Sequence, residues 1–254
     1  MRVANLRSMF KNRMGREEIY SQSDFWDSKA SALSGKAVSM WPNNNLNALY
    51  HQEQLSVLAP YLKQIKDKRI LDVGCGTGRI SRFLVSMGAQ VVGIDFSART
   101  VEIAKKESPA KNPSYRVQSV FDLNEDGRYD MALSWGVLTV ACKAQDELSH
   151  ALEAIHRSLR PQGAFILLEP IHKGFLHRVL NMGLQEFIEI MGEVGFRVDE
   201  VFALHFWPMR LFLAFIPWPK PITSVGYHLG QKIMKTLFNN NAFGDYQAIY
   251  AKKE

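Results

Sequence analysis

A chain of 254 residues with 46% hydrophobic, 11% aromatic and 22% charged content is too apolar for disorder, and 17 glycines and 10 prolines spread along it exclude collagen-like and low-complexity classes. Folding at this length buries roughly 70–75% of the unfolded surface, so no staple is required. Cys75 and Cys142 offer neither a disulfide framework nor a zinc motif, and fit a reducing, cytoplasmic setting. The formal charge of +6 permits an anionic partner, nucleic acid or phospholipid, but argues only weakly for one.

In chain order, residues 1–16 carry Arg2, Arg7, Lys11, Arg13 and Arg16 and no acid, with Val3, Leu6, Phe10 and Met14 near helical spacing. A targeting peptide or a helix lying on an anionic membrane has this form, and so does a solvated N-terminal helix, the commoner case. Residues 19–65 read as helices with polar turns. A loop at Trp41-Pro42-Asn43-Asn44-Asn45 leads into helical spacing through Leu46, Leu49, Leu55, Leu58 and Leu62. Apolar runs and helical stretches then alternate. Strands are expected at Arg69–Val73, Gln90–Ile94, Tyr115–Val117, Met131–Ser134, Phe165–Leu168, Phe196–Val201 and Gln247–Tyr250. Helices are expected at Ile80–Met87, Val101–Lys106, Ala144–Leu159 and Leu184–Val194. The pattern predicts an α/β fold: a doubly wound sheet covered by helices on both faces. Residues 1–66 form an N-terminal helical cap, 67–254 the core, and 204–243 a hydrophobic insertion before the last strand. The stretch Leu204 to Trp218 is broken by His205, Pro208, Arg210 and Pro217, a poor membrane span.

The sharpest feature is Leu71-Asp72-Val73-Gly74-Cys75-Gly76-Thr77-Gly78-Arg79-Ile80, where a buried strand turns abruptly into a helix. Glycines there let the backbone bend tightly and a ligand approach closely, and the helix N-terminus suits a carboxylate or phosphate. Asp95 ends the next strand, the place for an acid that grips ribose hydroxyls.

These residues resemble the class I S-adenosylmethionine-dependent methyltransferases, in particular the broad type 11 small-molecule group. The resemblance covers Lys68 to Val201, with the final strand at about Tyr246 to Ala251, and implies a Rossmann-like seven-stranded sheet whose last strand is antiparallel. It implies S-adenosyl-L-methionine as cofactor. Gly74, Cys75, Gly76 and Gly78 would form the loop around its methionine end, Asp72 would orient the ammonium, Asp95 would pair with the ribose diol, and Phe96 would pack on the adenine. Where the family commonly has glycine-aspartate-alanine after its third strand, this chain has Gln118-Ser119-Val120. Ser119 would stand for the aspartate and Val120 would offer its N–H to the ring. Ser134 and Trp135 lie in the family's fourth strand and following loop, beside the transferable methyl. Ser134-Trp135-Gly136-Val137 departs from the Asn/Asp-Pro-Pro-aromatic motif of base and glutamine methylases. Gln162 replaces a glycine in the family's Leu-x-Pro-Gly-Gly turn. Only Glu169 stands where metal-dependent members cluster ligands, so no metal is expected.

An already activated methyl needs chiefly an aligned acceptor, and proximity can supply roughly 7–11 kcal/mol of such a barrier. An oxygen acceptor must also lose a proton. Candidate bases are Glu169 and His172 beyond the fifth strand, at the edge where a Rossmann-like sheet binds ligands, and His51 on the N-terminal helix; each also has an ordinary packing or surface reading. Trp41, Tyr50 and Trp135 are candidate acceptor contacts, and His150 and His156 read as structural. The insertion carries Phe206, Trp207, Met209, Leu211, Phe212, Phe215 and Trp218, then Lys220, Lys232 and Lys235. It reads as a lid for a hydrophobic acceptor, a dock on a membrane surface, or a subdomain burying its own apolar face. The expected function is methyl transfer to oxygen or nitrogen of a small molecule. Alternatives are a lipid-linked or membrane-associated acceptor, an RNA methyltransferase, or an idle binding subunit. Scattered cations without interleaved aromatics argue against RNA.

Overall fold

The computed structural model describes residues 15–32, 41–109, 111–237 and 243–254; residues 1–14, most of the basic N-terminal run, lie outside them. Three helices precede the sheet: α1 (Arg16–Tyr20), α2 (Ser23–Ala32) and α3 (Asn44–Leu58). Then follow β1 (Arg69–Val73), α4 (Arg79–Ser86), β2 (Gln90–Asp95), α5 (Ala98–Lys106), β3 (Ser114–Val117), β4 (Tyr129–Trp135), α6 (Leu138–Ala141), α7 (Gln145–Ser158) and β5 (Leu159–Glu169). The chain continues through α8 (Leu184–Glu193), β6 (Phe196–Phe206), α9 (Trp207–Leu213), α10 (Lys220–Leu237) and β7 (Gly244–Lys253).

The seven strands form one sheet in the order β3-β2-β1-β4-β5-β7-β6. β7 runs antiparallel to both β5 and β6, and the other pairings are parallel. This is the Rossmann-like α/β fold expected from the sequence. The inner strands are apolar throughout because both faces are covered, and successive residues divide between two layers. Leu71, Val73, Phe165 and Leu167 join one layer with Leu148, Leu152 and Ile155 of α7 and Phe187 and Met191 of α8. Ile70, Leu133, Ile166 and Leu168 join the other with Ile80 and Leu84 of α4 and Leu58 at the end of α3.

Strand order reverses between β1 and β4, which opens a crevice outside their carboxyl ends. β2, β4 and β5 end at that edge in Asp95, Trp135 and Glu169, and antiparallel β7 begins there with Asp245 and Tyr246. The N-terminal helices come to the same edge. α2 lies along α5, and α3 packs on α10. Asn43 caps α3 by accepting from the Asn45 and Leu46 N–H groups, while its own amide donates to the Leu213 carbonyl at 3.0 Å and to Thr223 Oγ1 at 3.2 Å.

Some boundaries differ from the sequence reading. β6 runs on to Phe206, pairing Leu204 with Tyr246 and Phe206 with Gly244, so the insertion begins at Trp207 rather than at residue 204. α3 ends at Leu58 instead of continuing to Leu62. Gln162, standing for a glycine, adopts the left-handed conformation with φ of 61°, which costs a non-glycine residue roughly 1–2 kcal/mol.

Candidate functional site

The turn after β1 uses its glycines in two ways. Gly74 (φ +66°) and Gly78 (φ +76°) leave no room for a side chain: an added Cβ would sit 2.3 Å from Val137 Cγ2 and 2.3 Å from the Tyr115 hydroxyl, respectively. At Gly76 (φ +52°) the same atom would meet nothing within 4 Å. The first and third glycines therefore serve packing, and the middle one faces open space. Cys75 between them is buried, its thiol pushed well up by burial, which makes it a packing group.

Asp95 ties the turn to the next strand. Its Oδ2 accepts from the Gly76 N–H at 2.9 Å and its Oδ1 from the Ser97 N–H at 2.9 Å. Each oxygen keeps a further lone pair for another donor. Burial raises the carboxyl's pKa, against the pull of those backbone N–H groups. Phe96 beside it is 37% exposed, a free ring face at the rim. Ser97 caps α5 and donates its hydroxyl to Asp27 of α2, whose Oδ1 also accepts from the Arg99 N–H at 3.0 Å. Nothing in the sequence marks Asp27, yet it anchors the cap against the strand end that carries Asp95.

Asp72 is buried and bonded by the Ser81 hydroxyl. Desolvation pushes its carboxyl up to about 7, opposed in part by that bond. Nearby, Arg79 opens α4. Its Nη1 donates to the His51 imidazole, and its guanidinium lies over the Trp135 ring, 5.3 Å from the centroid. Burial lowers Arg79 to about 10. Among the described residues, the turn thus holds a buried acid to which no cation is bonded and a half-buried cation bonded to an imidazole rather than a carboxylate. A ligand bearing both an ammonium and a carboxylate would match both.

Glu169, a candidate base in the sequence, has another task. It is fully buried, and Oε1 accepts from Ser134 Oγ at 3.0 Å, the Val137 N–H at 2.9 Å and the Leu138 N–H at 3.1 Å. Oε2 accepts from Thr139 N–H at 3.2 Å and Thr139 Oγ1 at 2.9 Å. With its oxygens committed, it clasps the loop after β4 and is not a free base. The same clasp occupies Ser134, expected beside the cofactor. Through Val137, the loop packs on Gly74.

His172 is placed differently. Its Nε2 lies 3.0 Å from the Asp245 carbonyl oxygen and 3.5 Å from Asp245 Oδ1. Donation through Nε2 leaves the lone pair on Nδ1. Asp245 is fully buried, with Arg210 Nε 2.9 Å from Oδ1 and the Tyr50 hydroxyl donating to Oδ2 at 3.3 Å. Although burial opposes ionisation, the Arg210 charge and the His172 bond hold the Asp245 carboxyl well below the usual range.

Tyr50, expected to touch the acceptor, is instead 1% exposed. It stacks on His205 at 3.5 Å and meets Trp41 edge-on at 4.9 Å. It is the center of the contact between α3 and the insertion. Trp41 is half-buried there, with Arg210 over its ring at 5.6 Å and its backbone held by Asn47. His205 is buried, and desolvation lowers its pKa against the pull of Glu53; it places Nδ1 3.1 Å from Glu53 Oε2, and Tyr227 donates to the same carboxylate. These residues latch α3 to β6 and α10. His51 and Trp135 sit across the crevice with ring centroids 6.3 Å apart, but the imidazole accepts from Arg79, which disfavors it as a base.

On the adenine side, Ser119 caps a short turn by accepting from the Phe121 N–H at 3.3 Å, so a further donor would share its oxygen; Val120 beside it is buried. Among the described residues, no three His, Cys, Asp or Glu side chains are grouped to hold a metal ion.

The methyltransferase domain family matches residues 70–163, from β1 into β5. The ubiquinone biosynthesis O-methyltransferase of Xanthomonas euvesicatoria pv. vesicatoria is 32% identical over 157 residues, covering 57% of this chain and 62% of that protein. The malonyl-[acyl-carrier protein] O-methyltransferase of Pseudescherichia vulneris is 28% identical over 135 residues, covering 53% and 50%. The chain thus spans only 50–62% of the length of these relatives. Among solved structures, magnesium protoporphyrin IX methyltransferase from Synechocystis PCC 6803 with bound SAM shares the fold. Its TM-score is 0.59 at 16% identity, over 96% of this chain and 97% of that one.

Proposed function

We propose that the chain, whose residues 70–163 match a methyltransferase domain family, binds S-adenosylmethionine and transfers its methyl group to oxygen or nitrogen of a small organic acceptor. The observation that carries this is the complementary pair at the turn after β1: buried Asp72 for an ammonium and half-buried Arg79 for a carboxylate, with Gly76 facing open space and Asp95 one strand away. When bound, the cofactor supplies a methyl group activated on a sulfonium. Asp95 would accept from the ribose hydroxyls, and Phe96 would cover the adenine. Trp135, α3 and the insertion exclude water from the crevice, and His172, oriented by Asp245, takes a proton from an oxygen acceptor through Nδ1. The relatives named for O-methylation in ubiquinone biosynthesis and on malonyl-[acyl-carrier protein] support an oxygen acceptor on a small organic group. A crystal structure with S-adenosylhomocysteine tests the reading: the ribose should lie at Asp95 and the sulfur should face the space between Trp135 and His172. A ligand at the opposite edge of the sheet would refute it.

Arg79→Met should weaken S-adenosylhomocysteine about tenfold, the lower end of the 1.5–3 kcal/mol expected for a bond to a charged group, because Arg79 is only half-buried. 5′-Methylthioadenosine has no carboxylate, so its affinity should stay unchanged. An equal loss for both ligands would mean that Arg79 only supports the fold.

The pH dependence should come from Asp72. In the free protein its carboxyl protonates at about 7, whereas the cofactor's ammonium favors the ionised form. Binding below that pH therefore releases a proton, and affinity should rise with pH up to about 7, by as much as roughly tenfold per unit. Asp72→Asn should bind more weakly with a flat profile between pH 5 and 7; titrations that show the wild type already flat would contradict this assignment.

A further inference from the structure

The outer face of the insertion is apolar and cationic at once. Leu211, Phe212 and Ile216, on and just after α9, are 39%, 57% and 47% exposed. On α10, Ile222, Val225 and Leu229 are 47%, 70% and 51% exposed. Their spacing of three and four residues makes one stripe along the helix. His228, Lys232 and Lys235 are exposed along the side of that stripe, and Lys220 is exposed at its start. The sequence has no acid between Glu200 and Asp245, so these lysines have no carboxylate on their own elements, although the charge of Lys235 also acts on Glu53 of α3. The insertion's remaining cation, Arg210, is turned inward to Asp245. The inner face is ordinary core: Leu213, Ala214, Tyr227 and Met234 are buried.

We propose that the outer face of α9 and α10 docks on an anionic phospholipid bilayer. Phe212, Ile222, Val225 and Leu229 would enter the headgroup–acyl boundary, with Lys220, Lys232 and Lys235 on the phosphates. A large apolar patch rimmed by like charge marks an interaction site, and an amphipathic helix with lysines beside its apolar stripe lies in the plane of a membrane interface. Among the described residues no helix is long and apolar enough to cross a membrane, and the contact proposed is a peripheral one. A second copy of the chain fits the face poorly, because docking would set two lysine rows against each other. Arg210 and the Asn43 bonds to Leu213 and Thr223 join the inner side of this layer to the crevice edge. Docking therefore holds that edge beside the bilayer, and, resting on the methyltransferase reading, favors an acceptor that carries an apolar tail.

The test is cosedimentation of the full chain with extruded vesicles of phosphatidylcholine alone, and of phosphatidylcholine with an equal part of phosphatidylglycerol. The chain should sediment with the anionic vesicles at least about tenfold more tightly than with the neutral ones, and less so as salt is raised. The double variant Val225→Glu, Leu229→Glu replaces exposed side chains only. It should lose about tenfold or more of that binding while its thermal melt and S-adenosylhomocysteine affinity stay unchanged. Lys232→Glu, Lys235→Glu should erase the preference for phosphatidylglycerol. No binding to anionic vesicles, binding untouched by the double variant, or a concentration-dependent dimer that the same variant breaks would each overturn the proposal. Calorimetry with S-adenosylhomocysteine is independent of the vesicles, so its failure would refute the methyltransferase reading and leave the docking result standing.

Discussion

Asp95→Ala should lower the affinity for S-adenosylhomocysteine by roughly 10–150-fold, the equivalent of about 1.5–3 kcal/mol for hydrogen bonds to a charged acceptor. Two losses combine in this variant. The ribose hydroxyls would lose the acceptor proposed for them, and the Gly76 N–H, held at 2.9 Å, loses the bond that fixes the middle glycine of the turn. Asp95→Asn keeps one carbonyl oxygen and should fall between alanine and wild type. The sheet should survive in both, because Asp95 ends its strand at the rim; circular dichroism and calorimetry on the same samples separate a lost site from a lost fold. Unchanged affinity would remove Asp95 from the site.

Glu169→Ala should cause the largest loss of stability, about 3–5 kcal/mol. Each buried donor left without a partner costs roughly 1–3 kcal/mol, and the Ser134 and Thr139 hydroxyls and the N–H groups of residues 137–139 all lose theirs, with water recovering part of the cost. At about 2–4 °C per kcal/mol for a chain of this size, the melting temperature should fall by roughly 6–20 °C. Cofactor affinity should fall with it, because the released loop carries Val137, which packs on Gly74. Glu169→Gln preserves the shape and one acceptor and should lose less. A melting temperature within a degree or two of wild type would show that the loop does not depend on the clasp.

The sheet was legible because its inner strands declare themselves. Arg69–Val73 and Gln90–Asp95 are short apolar runs, each ending in a polar turn, and the glycine turn between Val73 and Ile80 could follow only a strand that feeds a helix. The acids at the ends of those runs were legible for the same reason: Asp72 and Asp95 interrupt apolar stretches where burial makes an acid costly. Glu169 has the same signature, an acid closing a buried strand, and the sequence does not show that backbone N–H groups from another loop will surround it. That distinction is tertiary. Tyr50 was misread because an aromatic residue on a helix near a crevice has the same pattern whether it lines a pocket or fills an interface. Its neighbors His205 and Tyr227 arrive from far along the chain. The end of β6 was hidden because Leu204-His205-Phe206 continues without a break into the apolar insertion. Asp27 had no local signal at all, since its partners Ser97 and Arg99 come from another element.

Isothermal calorimetry of the wild-type chain with S-adenosylhomocysteine tests the central claim most directly. A cradle made of Asp72, Gly76, Arg79 and Asp95 predicts one saturable site in the micromolar range, with affinity that rises from pH 5 to 7. No binding at high micromolar ligand near pH 7 would contradict it.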